Sequence, residues 1–170
     1  MRMAKGRMAL LALVAVGTIV LDQIAKSYIV DRMRLHESIQ VIPDFFSITY
    51  IRNPGAAFGL LASSSAGFRM LFFALTSVGA LILLSVILFR LPKNDWLGQF
   101  SIAAILGGAV GNLLDRLRLG EVIDFLDFYV KGYHWPAFNV ADSAISVGVF
   151  FLVLHFAFEK QEAGPATEQS

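Results

Sequence analysis

The chain has 170 residues, 56% of them hydrophobic and only 16% charged, with a mean hydropathy of +0.66. A soluble globular domain carries about 25% charged residues, so the shortfall points to lipid as the solvent. A net charge of +1 leaves no basic footprint for nucleic acid, and the lack of cysteine excludes disulfides, thiolate metal sites and a cysteine nucleophile.

Four apolar windows are long enough to cross a bilayer core of about 30 Å, which takes about 20 helical residues. They are 8–30, 68–89, 96–117 and 137–158. The first follows Arg2, Lys5 and Arg7 as a signal peptide would. No small-x-small cleavage site follows it and its apolar character resumes beyond Asp22, so it is read as a retained helix. Arg2, Lys5, Arg7, Arg90 and Lys93 mark both termini and the turn between the second and third helices as cytoplasmic, although Arg118 and Lys131 lie in a loop on the other side. Residues 31–67 and 118–136 then fall outside, and 159–170 forms a polar cytoplasmic tail. The outer connection is too long to lack structure. Phe46 to Tyr50 alternates as a half-buried strand does, and Phe128 to Val130 suggests another. The expected fold is all-α membrane, with four transmembrane helices in a single domain, 1–158. A small extracytoplasmic antiparallel β-cradle completes it, able to take an extended peptide by edge pairing.

Ionisable residues inside a span cost about 2.5–3.5 kcal/mol each on insertion scales, which makes each a functional candidate. Asp22 and Lys26 lie four apart on one face of the first helix, acid before base, as a structural ion pair or a brace for a neighbouring site. On the third helix, Gly107, Gly108 and Gly111 allow close helix approach, and Asn112 and Arg116 share a face. On the fourth, Asn139, Asp142, Ser143 and Ser146 make one polar stripe. Asp142 lies about a turn inside that span, and the plain alternative is a carboxylate favoured by the helix dipole. Asp124, flanked by Val122-Ile123 and Phe125-Leu126, can face it. His36, His134 and His155 stand alone and are read as interfacial or packing residues.

Two carboxylates at ~4 Å and an effective dielectric near 20 repel by about 4 kcal/mol, roughly 3 pKa units. Such a pair shares one proton near neutral pH. The charged member can take a proton from water and the protonated one can donate to a scissile carbonyl. A Mg²⁺ or Ca²⁺ site built from Asp124, Asp127 and Asp142 is the rival reading, but no metal or cofactor is expected. A small transporter or proton-conducting subunit is the competing class, since intramembrane Asp, Lys and Arg also mark ion paths. A purely structural membrane protein comes third, because it has no need of Asp142 within a span.

Five blocks then resemble one family in its own order: Asp22-Gln23-Ile24-Ala25-Lys26, Asn53-Pro54-Gly55-Ala56-Ala57-Phe58, Gly108 to Arg116, Val122-Ile123-Asp124-Phe125, and Phe138-Asn139-Val140-Ala141-Asp142-Ser143. The chain resembles the bacterial lipoprotein signal peptidases, the type II signal peptidases, from Asp22 to Ser143. The resemblance implies an aspartic endopeptidase of the bacterial inner membrane. It implies cleavage of diacylglyceryl-modified prolipoproteins just before the lipidated cysteine. It maps the catalytic dyad onto Asp124 and Asp142, and supporting positions onto Asp22, Lys26, Asn53, Asn112, Arg116 and Asn139. Arg116 and Asn112 are expected to hold the loop that carries Asp124. The expected partners are that substrate and membrane lipid, with no nucleic acid and a monomeric enzyme. Ala25 departs from the Ser or Thr that many members carry there, which puts one hydroxyl contact in doubt.

Overall fold

The computed structural model describes residues 5–55 and 64–162. Ala56, Ala57 and Phe58 of the second motif, Arg2, and the tail beyond Glu162 lie outside the described residues. The elements run α1 Lys5–Arg32, β1 Ser38–Ile42, β2 Phe46–Asn53, α2 Ala66–Arg90, α3 Trp96–Leu119, β3 Val122–Val130, β4 Tyr133–His134 and α4 Val140–Glu162.

All four helices are long and apolar enough to cross a membrane. Their outer faces carry exposed Leu13, Leu21, Leu75, Ile82, Phe150 and Val153, a distribution that is stable only where the solvent is hydrocarbon. The third helix is the centre of the bundle, packed against α1, α2 and α4. Two glycines explain how close the approach is. A Cβ at Gly108 would run into the Ala141 carbonyl oxygen of α4, and one at Gly111 would come within 2.7 Å of Asp22 Oδ2 on α1. The glycine cluster therefore brings main chains together and lets a buried carboxylate sit against a helix backbone.

The helices begin about where apolar length places them, with two informative differences. The first helix includes Lys5 and Arg7, outside its apolar window, because long basic side chains let a helix extend into the interface. The fourth starts at Val140, not at residue 137. Asn139 caps it: Asn139 Oδ1 accepts from the Asp142 N–H at 2.9 Å, and Asp142 Oδ2 accepts from the Asn139 N–H at 3.3 Å. This is the reciprocal capping-box arrangement, with aspartate at the third helical position. Asp142 therefore belongs to the first turn of α4. The helix also runs through 159–162, which the sequence assigns to the tail.

The strands form one antiparallel sheet in the order β1-β2-β3-β4. Phe46 pairs with Phe128 and Ile51 with Asp124, with a register shift on β2 between Ile48 and Ile51. The third strand begins at Val122, six residues before the predicted one, so Asp124 lies on a strand in mid-sheet. The side chains of Ile123 and Phe125 pack with Tyr50 onto Ile29 and Met33 at the end of α1. By strand alternation that burial turns Asp124 to the opposite face. The edge of β3 beside Asp124 is paired within the chain. Phe125 and Leu126 N–H donate to the Phe138 carbonyl, and Phe138 N–H donates to Leu126. The edge strands are β1, with β2 between it and the strand of Asp124, and the two-residue β4.

Candidate active site

Asp124 and Asp142 line one cavity of about 640 Å³ with Asn53, Gly55, Asn112, Arg116, Ser143 and Ser146. Three asparagines orient the two carboxylates, and in each a donor-only neighbour fixes which way the amide points. Gly55 N–H donates to Asn53 Oδ1 at 3.0 Å, closing the turn at Pro54, so Asn53 Nδ2 donates to Asp124 Oδ2 at 3.0 Å. The Asp142 N–H holds Asn139 Oδ1. Asn139 Nδ2 is therefore left facing Asp124 Oδ1 at 2.8 Å, the Ile123 carbonyl at 3.1 Å and Asn112 Oδ1 at 3.1 Å. The Lys26 ammonium donates to Asn112 Oδ1 at 2.9 Å, so Asn112 Nδ2 donates to Asp142 Oδ1 at 2.7 Å. Asn139, fully buried, touches both carboxylates.

Asp124 is nearly inaccessible. Burial pushes its carboxyl up to about 7, with the Asp142 charge adding to the rise and the Asn53 and Asn139 amides opposing it. A carboxyl that titrates near neutrality beside a second carboxylate suits general acid–base work.

Asp22 and Lys26 form a buried ion pair. Both are buried, their charged atoms 2.8 Å apart, and Lys26 makes a second 2.8 Å bridge to Asp115. Asp22 Oδ1 also accepts from Ala141 N–H at the start of α4. Asp115 Oδ2 accepts from Ile123 N–H, so Asp115 ties α3 to the strand that carries Asp124. That was the part expected of Arg116 and Asn112. Arg116 instead donates to the Gly55 carbonyl at 2.7 Å and lies 3.9 Å over the Phe73 ring, holding the Asn53 turn, while Asn112 holds Asp142. Asp115 and Gln23, which donates to Asp22, Asp115 and the Gly111 carbonyl, lie within the motif blocks but outside the candidate site residues. A signal was available, since Asp115 lies on the same helical face as Gly108, Gly111 and Asn112.

Asp127 points away from Asp124 by strand alternation and pairs with His134 Nδ1 at 2.9 Å. His155, at the other end of the bundle, pairs with Asp95 at 3.0 Å. Two of the three histidines thus face carboxylates, and none of the three lines the cavity.

Comparison with known proteins gives concordant findings. The family model described as Signal peptidase (SPase) II matches residues 14–158. The protein named lipoprotein signal peptidase from Syntrophus aciditrophicus is 54% identical over 157 residues, 90% of this chain and 96% of its own. That of Geobacter sulfurreducens is 52% identical over 152 residues, 89% of this chain and 94% of its own. A solved structure, described as a bacterial membrane enzyme obtained in meso at 2.3 Å resolution, superposes with a TM-score of 0.81 at 33% identity, covering 95% of this chain and 94% of that one. With the family match spanning nearly the whole described bundle and sheet, the chain belongs to the signal peptidase II family.

Proposed function

We propose that the chain is an intramembrane aspartic endopeptidase that removes the signal peptide from diacylglyceryl-modified prolipoproteins, cutting just before the lipidated cysteine. The observation that carries this reading is the pair of carboxylates on one cavity, each held by amide donors and joined through Asn139. The pair enters the cycle with one proton. The charged carboxylate takes a proton from water as the water oxygen attacks the scissile carbonyl carbon, and the protonated carboxyl donates to the carbonyl oxygen. Collapse of the tetrahedral intermediate breaks the C–N bond. The cysteine amine leaves with a proton from one carboxyl, and the pair returns to its single-proton state. Arg116 lines the same cavity, and its Nη1 has no hydrogen-bond partner among the described residues. It offers a further donor to substrate carbonyls.

The cavity wall also includes Val122, Trp135, Pro136, Phe138 and Val147, apolar surface fit for acyl chains. Burial is worth about 0.8 kcal/mol per CH₂, so covering even two or three methylenes changes affinity by roughly ten- to fiftyfold. The purified chain should cleave a diacylglyceryl precursor before its cysteine and act at least tenfold less efficiently on the unmodified precursor. Equal efficiency on both would remove the lipid from the reading. A chain that passes protons in liposomes and cuts neither precursor would be a transporter.

The proposed orientation puts both termini in the cytoplasm of a bacterial cell. The sheet and the carboxylates then lie near the extracytoplasmic face of the inner membrane. Ser64, just before α2 at the sheet end of the bundle, reports on this. A Ser64→Cys protein should react with a membrane-impermeant maleimide in intact spheroplasts. Labelling only after lysis would invert the arrangement.

A further inference from the structure

We infer that Lys26 and Asn112 make the two carboxylates unequal: relayed through the Asn112 amide, the Lys26 ammonium keeps Asp142 charged, so Asp142 is the base that takes the proton from water and Asp124 is the proton donor. This rests on the aspartic-peptidase reading and adds an assignment of roles to it.

The groups acting on Asp142 are Asn112 and Arg116 of α3, Asp22 and Lys26 of α1, Asp124 of β3 and its own cap Asn139. Arg116 lines the cavity with both carboxylates and so does not distinguish them. Lys26 acts through space on both carboxylates, and its single positive charge, bridged to Asp22 and Asp115, offsets one of their two negative ones. What differs is the hydrogen-bond supply. Lys26 can only donate, and its three contacts are Asp22, Asp115 and Asn112 Oδ1. With Oδ1 so held, the Asn112 N–H aims at Asp142 Oδ1 alone, at 2.7 Å, and is polarised by the ammonium behind it. The second Asp142 oxygen accepts a main-chain N–H at the start of α4, where the helix dipole favours an anion. Asp124 sits on a strand without that dipole. Its donors are neutral amides, and one of them, Asn139 Nδ2, is divided among three acceptors. Its rise to about 7 agrees with its being the member that holds the proton.

Asn112→Ala cuts the relay and leaves both Lys26 ion pairs in place. Its kcat against pH, with precursor saturating, should show the acid limb moved upward, because Asp142 then binds its proton more readily. The alkaline limb should stay within a few tenths of a unit. A limb pattern unchanged in position with only the rate reduced would overturn the relay, and so would movement of the alkaline limb alone. Should Asn112→Ala not fold, judged by its melting in detergent, the second arm decides. Formate supplies an external base. It should restore cleavage at least tenfold in Asp142→Asn and not in Asp124→Asn. Rescue of Asp124→Asn alone reverses the roles, and rescue of both or neither overturns the assignment. Cleavage near the native rate by either Asn variant without formate would instead reject the aspartic reading itself.

Discussion

Asp124→Asn and Asp142→Asn should each lower turnover by roughly 10³–10⁴-fold, and the double variant should be scarcely slower than either. Asparagine keeps the shape and loses the proton, and a dyad that passes one proton back and forth fails when either member cannot carry it. The variants should still fold. The cost is local: both Asp124 oxygens accept amide protons, so an amide NH₂ at 124 would face the Asn53 or Asn139 donor. A donor facing a donor costs about 1–3 kcal/mol. Against that, the buried pair loses its mutual repulsion. The pH dependence of stability gives an independent check. A carboxyl raised to about 7 in the folded chain and near 4 when unfolded keeps its proton in the fold while the unfolded chain releases it. Stability then falls as pH rises from about 4 to 7, and levels off above. Asp124→Asn should flatten that decline in melting temperature, whereas Asp127→Asn, on the opposite face with His134, should leave it in place and keep most turnover. A folded Asp124→Asn or Asp142→Asn preparation, free of host enzyme, that still cut the precursor would end the aspartic reading.

The pattern of what could be read beforehand follows from what is local. A helix in lipid needs apolar length, so each span is announced by its own residues. Asp22, Lys26, Asn112, Asp124, Asn139 and Asp142 stand out because a polar group there has no water to satisfy it and must find a protein partner. Pro43 and Asp44, residue types that favour turns, lie at the hairpin between β1 and β2, where Asp44 takes a positive φ of 57°. Partners are a different matter. The pairing of 46–53 with 122–130 joins segments some seventy residues apart, and Val122 to Leu126 is a short apolar run that suits a strand or a helix end equally. Without that pairing, Asp124 could be put near Asp142 but not on a strand whose far edge was occupied. The same limit explains Arg116. Its face on α3 was legible. Its contact with the Gly55 carbonyl depends on where the β2 turn comes to rest, while the neighbouring Asp115 took the role of tethering β3.

Lys26→Met should be the most destabilising single change outside the carboxylate pair. Methionine fills similar space, so the loss is electrical. Lys26 is 2% exposed and its ammonium meets Asp22 and Asp115 at 2.8 Å and Asn112 Oδ1 at 2.9 Å. Among the described residues Lys26 is the cation that bridges these two buried carboxylates, and removing it leaves them unpaired, which costs about 3–5 kcal/mol. Such a loss lowers the melting temperature of a chain this size by roughly 6–20 °C. The remaining donors to Asp22 are Ala141 N–H and Gln23, and those to Asp115 are Ile123 N–H and Gln23, all neutral. They are also the ties that hold α4 and β3 to the bundle, so the damage reaches both elements that carry the proposed catalytic groups. Turnover should fall with stability. Neutralising all three together, as Asp22→Asn/Lys26→Met/Asp115→Asn, should return much of the melting temperature, since no buried charge is then left alone. It should not return the rate, because Asn112 has lost the ammonium that fixes its amide toward Asp142. If the triple variant melts no higher than Lys26→Met alone, the stabilising role of this ion cluster is something other than charge pairing; if Lys26→Met itself melts within a few degrees of the native chain, the cluster is not a brace.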